Sequence, residues 1–246
     1  PLFFLDYIST NKINLSKLKK IIEGIVEGCK ESKCELSGGE TAEMPGTYQK
    51  NKFDIAGFAV GIVDKKKLLD KEKVKKNDII LAIPSSGIHA NGFSLIRYIL
   101  KKKKININKL NLQYINLKKE LLKPTKIYVN EILNLTQKNL INACANITGG
   151  GLFNNLSRMI PKGLQANINL DQIKVLKIFK WLKSQKISER EMIKTFNCGV
   201  GFCLITNKKH LNEIQKYFSK KFKPYVIGYI SKGKKKLRLY GKIKWK

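Results

Sequence analysis

The stretch Leu36-Ser37-Gly38-Gly39-Glu40-Thr41-Ala42-Glu43-Met44-Pro45-Gly46 constrains the chain more than any other. It follows a segment with helical spacing and precedes one with strand character, so it reads as the turn between two elements. Two adjacent glycines let the backbone approach a neighbour or a ligand closely. Glu40 and Glu43 place carboxylates just behind them, Thr41 adds a hydroxyl, and Pro45-Gly46 is turn chemistry. A hard cation such as Mg²⁺ prefers oxygen ligands and usually takes one or two carboxylates, with phosphate supplying the rest. From residue types alone the string is an acid-bearing turn, and a cation site is the sharper alternative.

Upstream, Leu2 to Ile8 is a short apolar run of strand length. Asn14 or Ser16 caps a helix over about Leu15 to Glu31. Its Leu15, Leu18, Ile21, Ile22, Ile25, Val26 and Cys29 recur on one face as a core-packing stripe. Phe53 to Val63 reads as a strand, and a shift of alternation phase at Ala56-Gly57 predicts a bulge. The lysine-rich, turn-prone residues 64–77 then separate a first domain, 1–63, from a second, 78–246.

Ile79 to Ile83 has the unbroken apolar character of a buried strand. It runs into Pro84-Ser85-Ser86-Gly87 and a helix from about Asn91 to Lys103, with His89 and Asn91 at the junction. Strand, small-residue loop and helix N-terminus is an arrangement that offers backbone N–H groups to phosphate, although the spacing is not that of a Walker loop. Taken alone, His89 is more simply a hydrogen-bonded residue at a helix start. Lys101 to Asn116 is a low-complexity Lys/Asn/Ile connection. A helix over Lys126 to Lys138 and a strand over Ile141 to Ile147 follow, and Thr148-Gly149-Gly150-Gly151 then opens a second helix, to Ile160. The rest alternates irregularly. Strand Leu164 to Leu170 precedes a helix bearing Phe179 and Trp181. Asn197-Cys198-Gly199-Val200-Gly201 leads into strand Phe202 to Thr206, and helix Leu211 to Lys220 and strands Tyr225 to Ile230 and Lys236 to Ile243 finish the chain. This mixture predicts an α+β fold.

A formal net charge of +31 would ordinarily direct attention to nucleic acid or an anionic membrane. The charge is nearly all lysine, with Arg97, Arg158, Arg190 and Arg238 the only arginines, and it is spread along the chain. Phosphate and base recognition favours the arginine fork, so a basic nucleic-acid-binding module ranks last among the readings, and no specific nucleic acid is expected as a partner. Five widely spaced cysteines, Cys29, Cys34, Cys144, Cys198 and Cys203, do not form a disulfide framework. No run of eighteen apolar residues and no signal-peptide pattern is present, so no membrane partner is expected. The reading is a cytoplasmic protein with reduced thiols.

Further strings extend the pattern. In order they are Pro1-Leu2-Phe3-Phe4-Leu5-Asp6-Tyr7, Glu23-Gly24-Ile25-Val26-Glu27-Gly28-Cys29, Ala56-Gly57-Phe58-Ala59-Val60-Gly61, and Ser85-Ser86-Gly87-Ile88-His89-Ala90-Asn91-Gly92-Phe93-Ser94-Leu95. Pro124-Thr125-Lys126-Ile127-Tyr128-Val129, Thr148-Gly149-Gly150-Gly151 and Phe196-Asn197-Cys198-Gly199-Val200-Gly201 complete the set. Together with Leu36 to Gly46, they resemble the aminoimidazole ribonucleotide synthetase family, the phosphoribosylformylglycinamidine cyclo-ligases of de novo purine synthesis. A single short motif is weak evidence, but an ordered series over nearly the whole chain is specific.

The resemblance implies two mixed α/β-layer domains of the PurM-like type, the first incomplete in this sequence. It implies ATP-dependent closure of formylglycinamidine ribonucleotide to aminoimidazole ribonucleotide, with ATP and Mg²⁺ as cofactors and a homodimer formed through the first domain. Glu40 would be the metal ligand. ATP and substrate would be held by Gly38, Gly39, Thr41, Glu43, Ser85, Ser86, Gly87, His89, Asn91, Gly92, Thr148, Gly149, Gly150, Asn197 and Gly199, with the Ser85 to Gly92 loop holding a phosphate and the Thr148 to Gly151 loop lining the same cleft. His89 and Asn146 are the candidates for the catalytic group. Two departures stand out. The family carries a Gly-Thr-Asp-Gly type loop and a helix ending in Asn-Asp ahead of the position of Pro1, where this sequence starts. It also carries histidine where this chain has Asn146. The alternative reading is therefore an inactive or regulatory fragment of such an enzyme.

Overall fold

The computed structural model describes residues 1–108, 111–112 and 115–245. The chain divides into two compact units, residues 1–68 with 127–130, and residues 69–126 with 131–246.

Unit 1 contains β1 (Phe3–Thr10), α1 (Leu15–Glu31), β2 (Glu35–Glu43) and β3 (Phe53–Val60). Its sheet has the order β2-β1-β3, with β1 parallel to β2 and antiparallel to β3. Asn14 caps α1, its Oδ1 accepting from the Lys17 N–H at 3.0 Å. Cys29 is the fully buried member of the helix stripe, while Leu15 is 78% exposed, so the buried stripe is narrower than the spacing suggests.

Two expectations fail in this unit. The stretch containing Gly38, Gly39, Glu40, Thr41 and Glu43 is not a loop but most of strand β2. Parallel pairing with β1 supplies the backbone partners for this row, and long-range pairing overrides the low strand propensity of glycine. Gly39 is required because it passes over Asp6, and a Cβ there would stand 2.2 Å from Asp6 Oδ1. The expected bulge at Ala56-Gly57 is also absent, because β3 pairs with β1 residue for residue. The bulge lies in β2, where Phe4 faces Leu36 and Leu5 faces Gly38, leaving Ser37 as the extra residue.

Unit 2 carries β4 (Ile79–Pro84), α2 (Phe93–Lys102), β5 (Asn111–Leu112), β6 (Ile115–Asn116), α3 (Leu117–Leu121), α4 (Val129–Gln137, its start grouped with unit 1) and β7 (Ala143–Asn146). It continues with α5 (Gly151–Arg158), β8 (Leu164–Asn169), α6 (Lys177–Ser184), α7 (Glu189–Thr195), β9 (Val200–Thr206), α8 (Leu211–Lys216), β10 (Tyr225–Lys232) and β11 (Leu237–Tyr240). The expected Lys101 to Asn116 connection lies partly outside the described residues. Six strands form one sheet in the order β11-β8-β10-β4-β9-β7, all pairs antiparallel except β11 with β8.

Because β4 is central, both of its faces are covered, and Ile79 to Ile83 are all buried. This accounts for its unbroken apolar sequence. One cluster packs Ile80, Ala82, Leu152, Leu156, Ile168 and Ile205, and a second gathers Ile88, Ile96, Phe179, Leu182, Met192 and Phe196. Phe179 and Phe196 meet at 6.1 Å between ring centroids in a tilted pair, a contact worth roughly 0.5–1.5 kcal/mol beyond area burial. Among the described residues no helix is long and apolar enough to cross a membrane.

Candidate functional site

The sheet order of unit 2 determines where its loops meet. β4 and β9 are antiparallel, and so are β9 and β7. The C-terminal end of β4, the N-terminal start of β9 and the C-terminal end of β7 therefore lie at one end of the sheet. Pro84 pairs with Val200, and Asn146 pairs with Phe202. Residues 85–92, 197–199 and 147–150 leave the sheet together at that end.

Asn197 joins two of these loops. Its side chain is 4% exposed. Its Oδ1 accepts from Ser85 Oγ at 3.1 Å and from the Gly199 N–H at 2.8 Å. Its Nδ2 donates to the Gly87 carbonyl at 3.0 Å and the Ile88 carbonyl at 3.1 Å. The Ser85 N–H donates to the Gly199 carbonyl at 2.9 Å. Ser85, Gly87, Asn197 and Gly199 are thus brought together, and Ser85 and Asn197 are occupied with each other.

His89 is 6% exposed and has φ +62. Burial lowers its imidazole from 6.5 to about 4. The ring is neutral near pH 7, and its Nε2 accepts from the Ser86 N–H at 3.1 Å, which puts the ring proton on Nδ1. Ser86 Oγ donates to the Pro124 carbonyl at 2.7 Å. His89 so placed orders the loop and does not offer Nε2 as a proton donor.

The third loop is organised by a residue that carries no motif signal. Asn155, in α5, is 3% exposed, and its Nδ2 donates to the Gly151 carbonyl at 2.7 Å and the Gly149 carbonyl at 3.3 Å. Gly151 has φ +67, and a Cβ there would stand 1.9 Å from the Ile193 carbonyl oxygen, so the start of α5 is seated directly on the end of α7. Thr148 and Gly149 stay exposed. Asn91 reaches the same place, its Oδ1 lying 3.6 Å from where a Gly149 Cβ would stand. Gly92 begins α2 with φ +87, and Gly150 lines a separate cleft with Phe153 and Arg190.

Asn146 and Thr148 line an open cleft of about 530 Å³. Its other walls are Ala143, Cys144 and Ala145 from β7, Asn155, Arg158 and Met159 from α5 and the turn that follows it, and Leu69, Asp70 and Lys71. This volume is in the range of small-molecule sites. Burial pushes the Cys144 thiol up to about 11, so it stays protonated and is no nucleophile.

In unit 1, Glu40 is exposed and its Oε1 accepts from the Thr41 N–H at 2.9 Å. Glu43 Oε2 accepts from the Ile13 N–H at 2.7 Å, tying the end of β2 to the turn that precedes α1. Thr41 borders a cavity of about 40 Å³ with Ile8, Leu18 and Ile21, far too small for a nucleotide. No group of three His, Cys, Asp or Glu that could hold a metal occurs among the described residues. Glu40 is a single exposed carboxylate, so an ion held there would have to complete its shell with water or phosphate oxygens and not with an all-protein cage.

Comparison with known proteins is consistent along the chain. The family profile described as AIR synthase related protein, N-terminal domain, matches residues 1–63, and its C-terminal-domain counterpart matches residues 75–239. A phosphoribosylformylglycinamidine cyclo-ligase of Thermodesulfovibrio yellowstonii is 47% identical over 244 residues, covering 95% of this chain and 69% of the relative. The proteins of that name from Prochlorococcus marinus strain MIT 9301 (48% over 217 residues, 87% of this chain and 62% of the relative) and Clostridium perfringens (45% over 235 residues, 95% and 69%) agree. The chain therefore spans about two-thirds of the length of these relatives. Among solved structures, a thiamine-monophosphate kinase from Stenotrophomonas maltophilia superposes with TM-score 0.70 at 16% identity, covering 99% of this chain and 73% of the other. The hydrogenase maturation protein HypE of E. coli gives 0.69 at 13%, covering 98% and 70%. At such identities these two share the fold alone.

Proposed function

The chain belongs to the AIR synthase family of phosphoribosylformylglycinamidine cyclo-ligases, and from that premise we propose how its residues divide the work of an ATP-dependent ring closure. In this reaction the γ-phosphoryl group of ATP passes to the formyl amide oxygen of formylglycinamidine ribonucleotide. An internal amine then attacks that carbon, the oxygen leaves with phosphate, and the imidazole of aminoimidazole ribonucleotide closes. Such chemistry depends on positioning and on stabilising charge more than on a strong acid or base.

The observation that carries the reading is the convergence of three loops at one end of the unit 2 sheet. Two buried asparagines, Asn155 and Asn197, hold the loop backbones, while Thr148, Gly149 and Asn91 are left beside one another for a ligand. Asn146 stands where the family carries histidine. It can orient substrate by hydrogen bonding but cannot transfer a proton near neutral pH. Glu40 would hold Mg²⁺ together with ATP phosphates, and the ion would neutralise charge on the transferring group.

The exposed apolar side chains of β3, Phe53, Ile55, Phe58 and Val60, support a homodimer through unit 1. The setting is a cytoplasmic one. Even spread of lysine along the chain supports no specific nucleic-acid partner. The test is formation of aminoimidazole ribonucleotide from ATP and formylglycinamidine ribonucleotide by the purified protein. Asn91→Ala and Thr148→Val should each lower kcat/KM by about 10- to 100-fold, a loss of roughly 1.4–2.7 kcal/mol. Unaltered kinetics in both variants would remove the loop cluster from the active site.

A further inference from the structure

We propose that Arg158 anchors a phosphate monoester in the cleft between β7 and α5. On the cyclo-ligase reading, on which this assignment of source rests, the group is the 5′-phosphate of the substrate ribonucleotide. Arg158 ends α5, is exposed, and lines the cleft of about 530 Å³ together with Asn146 and Thr148. Among the described residues the ion pairs join Lys123 to Glu120 and Lys126 to Glu131, and no carboxylate lies within ion-pair distance of Arg158. Asp70 borders the same cleft, but its Oδ1 accepts from the Glu72 N–H at 3.1 Å as the cap of a short turn. Lys71 adds a second cation.

A guanidinium presents a planar fork that matches two phosphate oxygens, which a lysine does not. The Asn146 amide supplies a neutral donor on the same wall, joined by the Thr148 hydroxyl, whose bond to Asn155 Oδ1 is long at 3.5 Å, and Ala143, Ala145 and Met159 give an apolar surface for a sugar and a flat heterocycle. The Ser85 to Gly92 loop is less suited to this phosphate. Ser85 and Asn197 bond to each other, and the Ser86 N–H is held by His89. A second cleft of about 420 Å³ also contains an arginine, Arg190, with Lys194. It lacks Asn146 and Thr148, and it serves as the rival.

The experiment is calorimetric titration of ribose 5-phosphate and, separately, of MgATP into the wild-type protein and the Arg158→Gln, Arg158→Lys and Arg190→Gln variants. Arg158→Gln should weaken ribose 5-phosphate binding about 10- to 100-fold, the loss expected for a charge-assisted bond. Arg158→Lys should recover part of it, and MgATP binding and the thermal midpoint should not change. Arg190→Gln should behave as wild type. With formylglycinamidine ribonucleotide the same loss should appear in KM and not in kcat. Wild-type-like binding by Arg158→Gln, no binding of ribose 5-phosphate by the wild-type protein, or dependence on Arg190 would overturn the proposal. Loss of MgATP in place of ribose 5-phosphate would assign the group to the nucleotide and equally overturn it. Arg158-dependent binding without turnover would leave the phosphate site standing and sink the cyclo-ligase reading instead.

Discussion

Ser85 Oγ and Asn197 Oδ1 are joined by a 3.1 Å hydrogen bond across 112 residues of sequence. The bond ties the exit of one strand to the entrance of its antiparallel neighbour. Because the same asparagine also holds the Gly87 and Ile88 carbonyls and the Gly199 N–H, its loss leaves several buried groups unpaired at once.

Asn197→Ala should therefore destabilise unit 2 by about 3 kcal/mol, a fall in Tm of roughly 6–12 °C. Asn197→Asp keeps the shape and the acceptor but loses both donations, and it places a carboxylate against two carbonyls. It should be no better than the alanine variant. Thermal and urea unfolding would check this, and a near wild-type midpoint for Asn197→Asp would show that the donations contribute little.

Gly151 and Gly163 make a controlled pair. Both have positive φ, +67 and +84, but a Cβ on Gly151 would meet the Ile193 carbonyl at 1.9 Å, while Gly163 has nothing within 4 Å. Gly163→Ala should cost only the left-handed penalty of about 1–2 kcal/mol. Gly151→Ala should add displacement of α5 from α7, for about 3–5 kcal/mol in total. Equal losses in urea unfolding would mean that α5 and α7 readily move apart.

Much of this architecture can be read in the sequence because it is local. The unbroken apolar run of β4 and the Asn14 cap of α1 follow from residue pattern alone. Where the reading fails, the cause is long-range. Gly38-Gly39 resembles a loop until β1 is placed beside it, and no local rule indicates that Gly39 must clear Asp6. Asn155 is missed because one polar residue between Leu152 and Leu156 resembles surface. Its partners are the three preceding glycine-loop carbonyls, and an amide one turn behind a glycine run at a helix start is the signal that could have found it. Asn197 is identified as a site residue, but its four bonds belong to the fold.

His89 makes stability depend on pH. Its imidazole is lowered from 6.5 to about 4 by burial, so the unfolded chain binds the proton more readily. Stability is therefore full above about 6.5 and declines as pH falls toward about 4, the direction in which the unfolded state gains protons. The contribution should be on the order of 2 kcal/mol. In His89→Gln, whose amide oxygen can still accept from the Ser86 N–H, that part of the decline should vanish. Urea midpoints of both proteins at pH 7.5 and pH 4.5 would isolate it, because general charge repulsion is common to the two. Parallel declines would mean that His89 is solvated in the native state.

Glu40 is the residue proposed above to hold Mg²⁺. It is exposed on edge strand β2, on the opposite face from Asp6, which pairs with Gly39 in the register. Of the three glutamates of this strand, Glu43 is engaged with the Ile13 N–H and Glu35 lies at the strand's start, while Glu40 follows Gly38-Gly39 and keeps its Oε2 beyond the bond from the Thr41 N–H. Mg²⁺ completes its shell with water and phosphate when protein ligands are few. Glu40→Gln keeps the size and the acceptor oxygen for the Thr41 N–H, and removes only the charge. It should weaken MgATP binding roughly 10- to 100-fold, as other losses around a bound metal do, while metal-free ATP in the presence of a chelator should bind both proteins alike. Calorimetry with and without Mg²⁺ separates the two terms. An equal loss in both conditions would make Glu40 a contact to the nucleotide itself, and an unchanged affinity would remove it from the site.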